Sequence, residues 1–187
     1  MLVKTYSAAV NGLEVTTVTV EISLMRGVMF HLSGLADAAV KESHDRIVAA
    51  LQNNGYKFPV ADITVNMAPA DLRKEGSSYD LPLAIGILAA MEKVDAGILD
   101  KYMLVGELGL DGRLQPVRGA LPIAIRARKE KFKGLIVPKQ NIREAAVVNN
   151  LDVYGMDCLA DVVAFLNGTM QLEPTRIDTR SEFYEHQ

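Results

Sequence analysis

Between Leu13 and Leu24 apolar and polar side chains alternate. Val18, Val20, Ile22 and Leu24 fall on one face, Thr17, Thr19, Glu21 and Ser23 on the other. A period of two predicts a half-buried strand. Gly27 to Leu32 reads as a second short strand, punctuated by Gly34. The period then becomes helical: Val40, His44, Ile47 and Leu51 form one stripe, Asp37 suits an N-cap and Gly55 a stop, so a helix is predicted to about Asn54. Lys41–Asp45 and Glu42–Arg46, opposite charges four apart, belong on its wet side. His44 lies on the stripe and reads as a hydrogen-bonded histidine of the core or an interface, with no second metal-ligand candidate nearby.

Ile63, Val65 and Met67 alternate with Asp62, Thr64 and Asn66 in a further strand, and a loop from Ala68 to Asp80 follows. Leu81 to Met91 is apolar all round, with Pro82 suited to a first turn, which predicts a central buried helix. Tyr102 to Val117 reads as a hairpin turning at Asp111-Gly112. Gly119 to Lys131 is an amphipathic helix and Gly134 to Pro138 a short buried strand. Asn141 is expected to cap a helix to about Asn149. Leu151 to Tyr154 is a strand, and Asp157 is expected to cap a last helix stopping at Gly168. The pattern lapses from Thr169 to Gln187, which reads as a polar tail or linker after a domain of residues 1–168.

Composition adds little to this picture: 49% hydrophobic and 23% charged residues suit a globular domain, and a net charge of −3 gives no global pull toward nucleic acid. The start lacks a signal-peptide pattern. The Leu81–Met91 run is shorter than the roughly 20 residues that span a bilayer. One cysteine, Cys158, excludes an internal disulfide, and no Cys/His cluster has zinc spacing. No metal, no membrane and a cytoplasmic location are the expectations.

Lys74-Glu-Gly-Ser-Ser78 precedes the apolar helix. Glycine permits a tight loop, and a serine at a helix N-terminus sits where free N–H groups stabilise an oxyanion. The same position suits a helix cap by Ser77, Ser78 or Asp80. Both readings stand at this point. A second constellation is basic: Arg113, Arg118, Arg126, Arg128, Lys129, Lys131 and Lys133, diluted by Asp111 and Glu130. It is either a solvated face or a contact for a nucleic-acid backbone or an acidic neighbouring subunit, with no aromatic platform interleaved.

The loop Lys74-Glu-Gly-Ser-Ser78, the hairpin Gly106-Glu-Leu-Gly-Leu-Asp-Gly-Arg-Leu-Gln-Pro116 and Gly134-Leu-Ile-Val-Pro-Lys139 resemble, in order and spacing, the proteolytic domain of Lon proteases. The resemblance implies an α/β (α+β) fold, that of the second domain of ribosomal protein S5. It places Ser78 on the family's nucleophile. The family's general base, a lysine five residues after the hairpin's proline, falls on Leu121. Leucine cannot accept a proton, and the Arg118 guanidinium stays protonated. Lys74 and Glu107 are the titratable groups left in the motifs, and neither is at the base position. The domain is therefore expected to be a degenerate, non-catalytic one. The alternative is a Lon-like serine peptidase using Ser78 with an unrecognised base.

A longer set of motifs resembles the N-terminal domain of the magnesium-chelatase-like AAA+ ATPases of the YifB/ComM type: Val3-Lys-Thr-Tyr6, Gly34-Leu-Ala-Asp-Ala-Ala-Val-Lys-Glu-Ser-His-Asp-Arg46, Asn66 through Ala84, and Arg143-Glu-Ala-Ala-Val-Val-Asn-Asn150. Ala36 departs from a proline expected there. The resemblance implies a full-length DNA-processing ATPase, linked to recombination, in which this domain serves ring assembly or engages DNA or a partner. Its partners would be its own AAA+ module and neighbouring subunits, with DNA as a further candidate. No Gly-x4-Gly-Lys-Ser/Thr loop occurs here, so ATP and magnesium are expected only in that further module. A stand-alone binding module is the third reading.

Overall fold

The computed structural model describes residues 1–178. β1 (Leu2–Asn11) and β2 (Glu14–Met25) form a long antiparallel hairpin. β3 (Phe30–Ser33), α1 (Ala38–Lys41), α2 (Ser43–Asn53), β4 (Asp62–Ala68) and α3 (Asp80–Ala90) follow. After a 3-10 turn come β5 (Tyr102–Leu104), the small hairpin β6 (Glu107–Leu108) and β7 (Leu114–Gln115), and α4 (Ala120–Lys129). β8 (Gly134–Pro138), α5 (Ile142–Ala145), β9 (Asp152–Met156) and α6 (Leu159–Leu166) are the last elements among the described residues.

Seven strands make one sheet in the order β3-β4-β2-β1-β5-β8-β9. β1, β5, β8 and β9 run parallel, as do β3 and β4, while β2 is antiparallel to both its neighbours. The architecture is α/β. Strand alternation divides the core between the two faces: Leu104, Ile136 and Tyr154 join one cluster with α2, α3 and α6, whereas Met103, Leu135 and Val153 join the other with α4 and α5.

α3 lies against β1 and β2 with every residue buried, as its uniform apolar run predicts. Gly86 permits the close approach, since a Cβ there would fall 2.2 Å from Ile22 Cδ1. In β2 and β4 the predicted apolar faces are buried at Val18, Val20, Ile22, Ile63, Val65 and Met67.

Several expected boundaries shift. β3 begins only at Phe30, because Asp62 Oδ1 takes the Met29 N–H and fills the space beside Gly27. Asp37 does cap a helix, accepting the Val40 N–H at 2.8 Å, but that helix ends after one turn and α2 starts anew at Ser43. His44 has no place deep in the core; its ring packs between Phe30 and Phe58, with Asp45 3.5 Å away. Arg46 is not a wet-side residue, since its guanidinium turns inward to Asp80. Of the expected Tyr102–Val117 hairpin only β6 and β7 pair, while β5 enters the main sheet. Asn141 does stand at the N-cap of α5, but that helix ends at Ala145 rather than near Asn149, and the Asn141 side chain makes no cap bond because its amide is spent on both polar groups of the Val117 backbone, at 2.9 Å each, and on Glu144. Asp157 is not a cap; its carbonyl accepts the Leu114 N–H and its carboxylate faces Lys139. Of the segment read as a tail, residues up to 178 lie against the domain, and the last nine are outside the described residues.

Candidate functional site

The loop between β4 and α3 is built around Lys74. Its side chain is fully buried and Nζ donates to the carbonyls of Gly34, at 2.7 Å, and Pro69. Its backbone pairs with Leu35 and Asp37, so main chain and side chain together bind the loop to the segment before α1. Burial lowers the Lys74 amine below its ordinary range, against the favourable charge of Asp71. Asp37 completes the tie: one carboxylate oxygen caps α1 and the other accepts the Gly76 N–H at 3.3 Å.

Past Gly76, in the left-handed region at φ 86°, the two serines diverge. Ser77 Oγ donates to Glu107 Oε2 at 2.7 Å. The Ser78 hydroxyl has no partner among the described residues, while its carbonyl accepts the Gly106 N–H. Neither serine caps α3. The N-cap position is Tyr79, already helical in conformation and without a side-chain cap bond. Burial, then the charges of Asp37 and Glu75, push the Tyr79 phenol up.

Asp80 opens α3 and is fully buried. Arg46 donates to it through Nε at 2.7 Å and Nη2 at 3.0 Å, and the Leu108 N–H adds a third bond at 3.0 Å. One carboxylate thus joins α2, α3 and β6 at the start of the helix that follows the serines. Burial raises the Asp80 carboxyl, opposed by those hydrogen bonds. Sequence reading weighed Asp80 only as a cap and Arg46 only as a partner of Glu42, which it still approaches at 3.8 Å. A buried-pair signal was present in one form: both residues lie within the longest family-like motifs.

The serine loop, Glu75, Asp37, Glu107 and Arg118 line an open cleft of about 740 Å³. The sequence-predicted residues therefore separate. Ser78 and Arg118 share the cleft, whereas Leu121, on the first turn of α4, is 37% exposed and does not line it. Lys74 points away to its two carbonyls and Glu107 is engaged by Ser77, so no proton acceptor is bonded to Ser78 Oγ among the described residues.

The basic residues have different neighbours. Arg113 faces Asp111 at 3.7 Å, and Arg126 pairs with Glu130 and reaches Thr17. Arg128 donates to the Asn149 carbonyl at 3.5 Å. Arg118 is exposed at the cleft, and Lys129 is exposed on the last turn of α4. Among the described residues no group of three or more His, Cys, Asp or Glu could hold a metal ion, and no helix is long and apolar enough to cross a membrane. The sequence contains no Gly-x4-Gly-Lys-Ser/Thr loop.

An α/β domain with a serine loop set in an open cleft is Lon-like in its architecture and motif order. Comparison with known proteins places it more closely. The family described as subunit ChlI of Mg-chelatase matches residues 20–141, and the chain belongs to that magnesium-chelatase-like family. Competence protein ComM of Haemophilus influenzae is 46% identical over 168 residues, 89% of this chain and 33% of that protein. The YifB protein of Escherichia coli K12 is 42% identical over 183 residues, 97% of this chain and 36% of that protein. Lon protease 2 of Bacillus subtilis is similar at a lower level, 28% over 120 residues, 64% of this chain and 20% of that protein. The chain spans about a third of the length of the ComM and YifB relatives.

Proposed function

We propose that this chain is the non-catalytic, Lon-like N-terminal domain of a magnesium-chelatase-like AAA+ ATPase, serving assembly of that ATPase or engagement of its substrate or partner. The observation that carries the reading is the base position. Leu121 is an exposed aliphatic side chain outside the cleft, and the Ser78 hydroxyl has no bonded acceptor among the described residues. A serine without a base is a poor nucleophile at neutral pH. Similarity to a protein named for competence supports DNA processing as the work of the full-length protein. ATP and magnesium belong, on this reading, to the module that follows.

The test has two arms. Incubated with a fluorophosphonate probe and with casein, the chain gives no labelling that Ser78→Ala removes and no cleavage above a blank. Labelling of Ser78 refutes the non-catalytic reading. Reading the coding frame beyond Gln187 addresses the other half: a phosphate-binding Gly-x4-Gly-Lys-Ser/Thr motif is expected there, and a frame that closes without one refutes attachment to an ATPase.

A further inference from the structure

Asn-Gly pairs occur three times in the chain, at Asn11-Gly12, Asn54-Gly55 and Asn167-Gly168. A glycine after asparagine presents a backbone nitrogen with no side chain to block it, so that nitrogen can close onto the asparagine amide carbon as a succinimide. The reaction needs a free side-chain amide and a free glycine N–H at once. At two of the pairs neither is free. Asn54 Nδ2 donates to the carbonyls of Ala50, at 2.7 Å, and Asp111, at 3.1 Å, while the Gly55 N–H is held by the Gln52 carbonyl at 3.2 Å. Asn167 uses both ends of its amide, accepting the Asp95 N–H and donating to the Lys93 carbonyl at 2.9 Å each. The Gly168 N–H is held by the Phe165 carbonyl at 3.1 Å. Asn11 differs on every count. It closes the β1–β2 hairpin opposite Glu14 and is exposed. Neither its side-chain amide nor the Gly12 N–H has a hydrogen-bond partner among the described residues. Space around Gly12 is open, since a Cβ there would meet nothing within 4 Å. Exposure does not separate the pairs, because Asn167 is exposed as well. The hydrogen bonds do.

We infer that Asn11 is a self-modifying site, converting to aspartate and isoaspartate while Asn54 and Asn167 of the same folded chain persist. The Gly12 nitrogen, on losing its proton to solvent, attacks Asn11 Cγ. The new N–Cγ bond forms, the Cγ–Nδ2 bond breaks, and ammonia leaves with a proton taken from water. Water then cleaves one of the two carbonyl bonds to that nitrogen. Cleavage at Cγ leaves aspartate; cleavage at the main-chain carbonyl leaves isoaspartate, whose backbone runs through the former side chain. Water is the only co-reactant. The closing pair of a hairpin is where the chain leaves the ladder most readily, because only the turn lies beyond it. At each of the other two pairs three hydrogen bonds must break first, which slows them roughly 10- to 100-fold relative to Asn11. Both products set a carboxylate opposite Glu14, where like charges repel. Isoaspartate also lengthens the backbone, so the closing pair loses its register. Val10, next in the chain, lines the serine cleft, and the change therefore falls at the rim of that cleft.

The purified 187-residue chain tests this by itself, so the outcome is independent of any attached ATPase. The chain is aged at pH 7 and at pH 9, and its tryptic peptides are mapped by mass spectrometry with fragmentation that separates aspartate from isoaspartate. The Thr5–Arg26 peptide, which holds no other Asn or Gln, gains the mass of OH replacing NH2. The gain is faster at pH 9, because the attacking nitrogen is the deprotonated one. Asn54 and Asn167 convert at least about tenfold more slowly. In denaturing urea all three convert at similar rates, which assigns the order to the fold rather than to the shared Asn-Gly sequence. Asn11→Gln abolishes the change in the Thr5–Arg26 peptide. In the aged wild type the Glu14 amide exchanges with deuterium about fivefold faster than in Asn11→Gln aged alongside it. Conversion of Asn54 or Asn167 in the folded chain as fast as Asn11 overturns the inference. So does an Asn11 that persists in the folded chain over the time in which the urea-unfolded chain converts. An unchanged Glu14 amide overturns the loosening of the hairpin tip.

Discussion

Removing Arg46 leaves a carboxylate stranded inside the domain. The Asp80 side chain is 1% exposed and keeps only the Leu108 N–H once the two guanidinium bonds are gone. Breaking a buried pair from the charged-donor side costs about 3–5 kcal/mol, against a total stability of about 5–15 kcal/mol for a domain. With a urea dependence of about 2 kcal/mol per molar, Arg46→Met lowers the unfolding midpoint by about 1.5–2.5 M. Asp80→Asn should cost less, about 1–3 kcal/mol. Arg46 is partly exposed and can turn to Glu42 or water, so it is not stranded in return. The pH response follows from the same geometry. Burial already raises the Asp80 carboxyl, and loss of the guanidinium raises it further. A carboxyl whose folded value lies above its unfolded value of about 3.9 stabilises the fold when protonated, and that stabilisation is lost as pH rises through the folded value. The deficit of Arg46→Met therefore shrinks between pH 7 and pH 5. Urea unfolding followed by far-UV circular dichroism at both pH values measures all of this. A cost below about 1 kcal/mol for Arg46→Met, or a cost smaller than that of Asp80→Asn, would refute the reasoning.

Other perturbations have equally definite outcomes. Gly34→Ala places a Cβ 2.2 Å from the Met67 carbonyl oxygen at a φ of 110°, and should destabilise the domain by more than about 2 kcal/mol in the same urea assay. Lys74→Met strips the donor from two carbonyls and should cost about 1.5–3 kcal/mol. Because the folded Lys74 amine lies below its unfolded value of about 10.4, folding releases its proton and stability rises with pH between the two values. The gap between wild type and Lys74→Met should accordingly widen from pH 7 toward pH 10, and a gap that narrows contradicts the burial account. If the face of α4 contacts a nucleic-acid backbone, binding to DNA weakens with salt and with the Arg126→Glu/Lys129→Glu double reversal, read by fluorescence anisotropy. Affinity indifferent to both removes that contact.

What the chain determined on its own was whatever repeats within a few residues. The period-two faces of β2 and β4 are visible because their buried positions are apolar throughout. α3 is visible because no polar residue interrupts it between Leu81 and Ala90. The serine loop was also legible, from motif order alone. β1 was not, because its buried face carries Thr5 and Ser7, which local pattern reads as solvent-facing. The Thr5 hydroxyl is satisfied by the Pro82 carbonyl 77 positions away, a partner that exists only after α3 has docked. The Arg46–Asp80 pair and the Ser77–Glu107 bond share that property. Burying a polar group is costly unless a complement meets it. For these groups the complement is supplied by distant chain, so their burial, and with it the shape of the cleft, is decided by the tertiary structure.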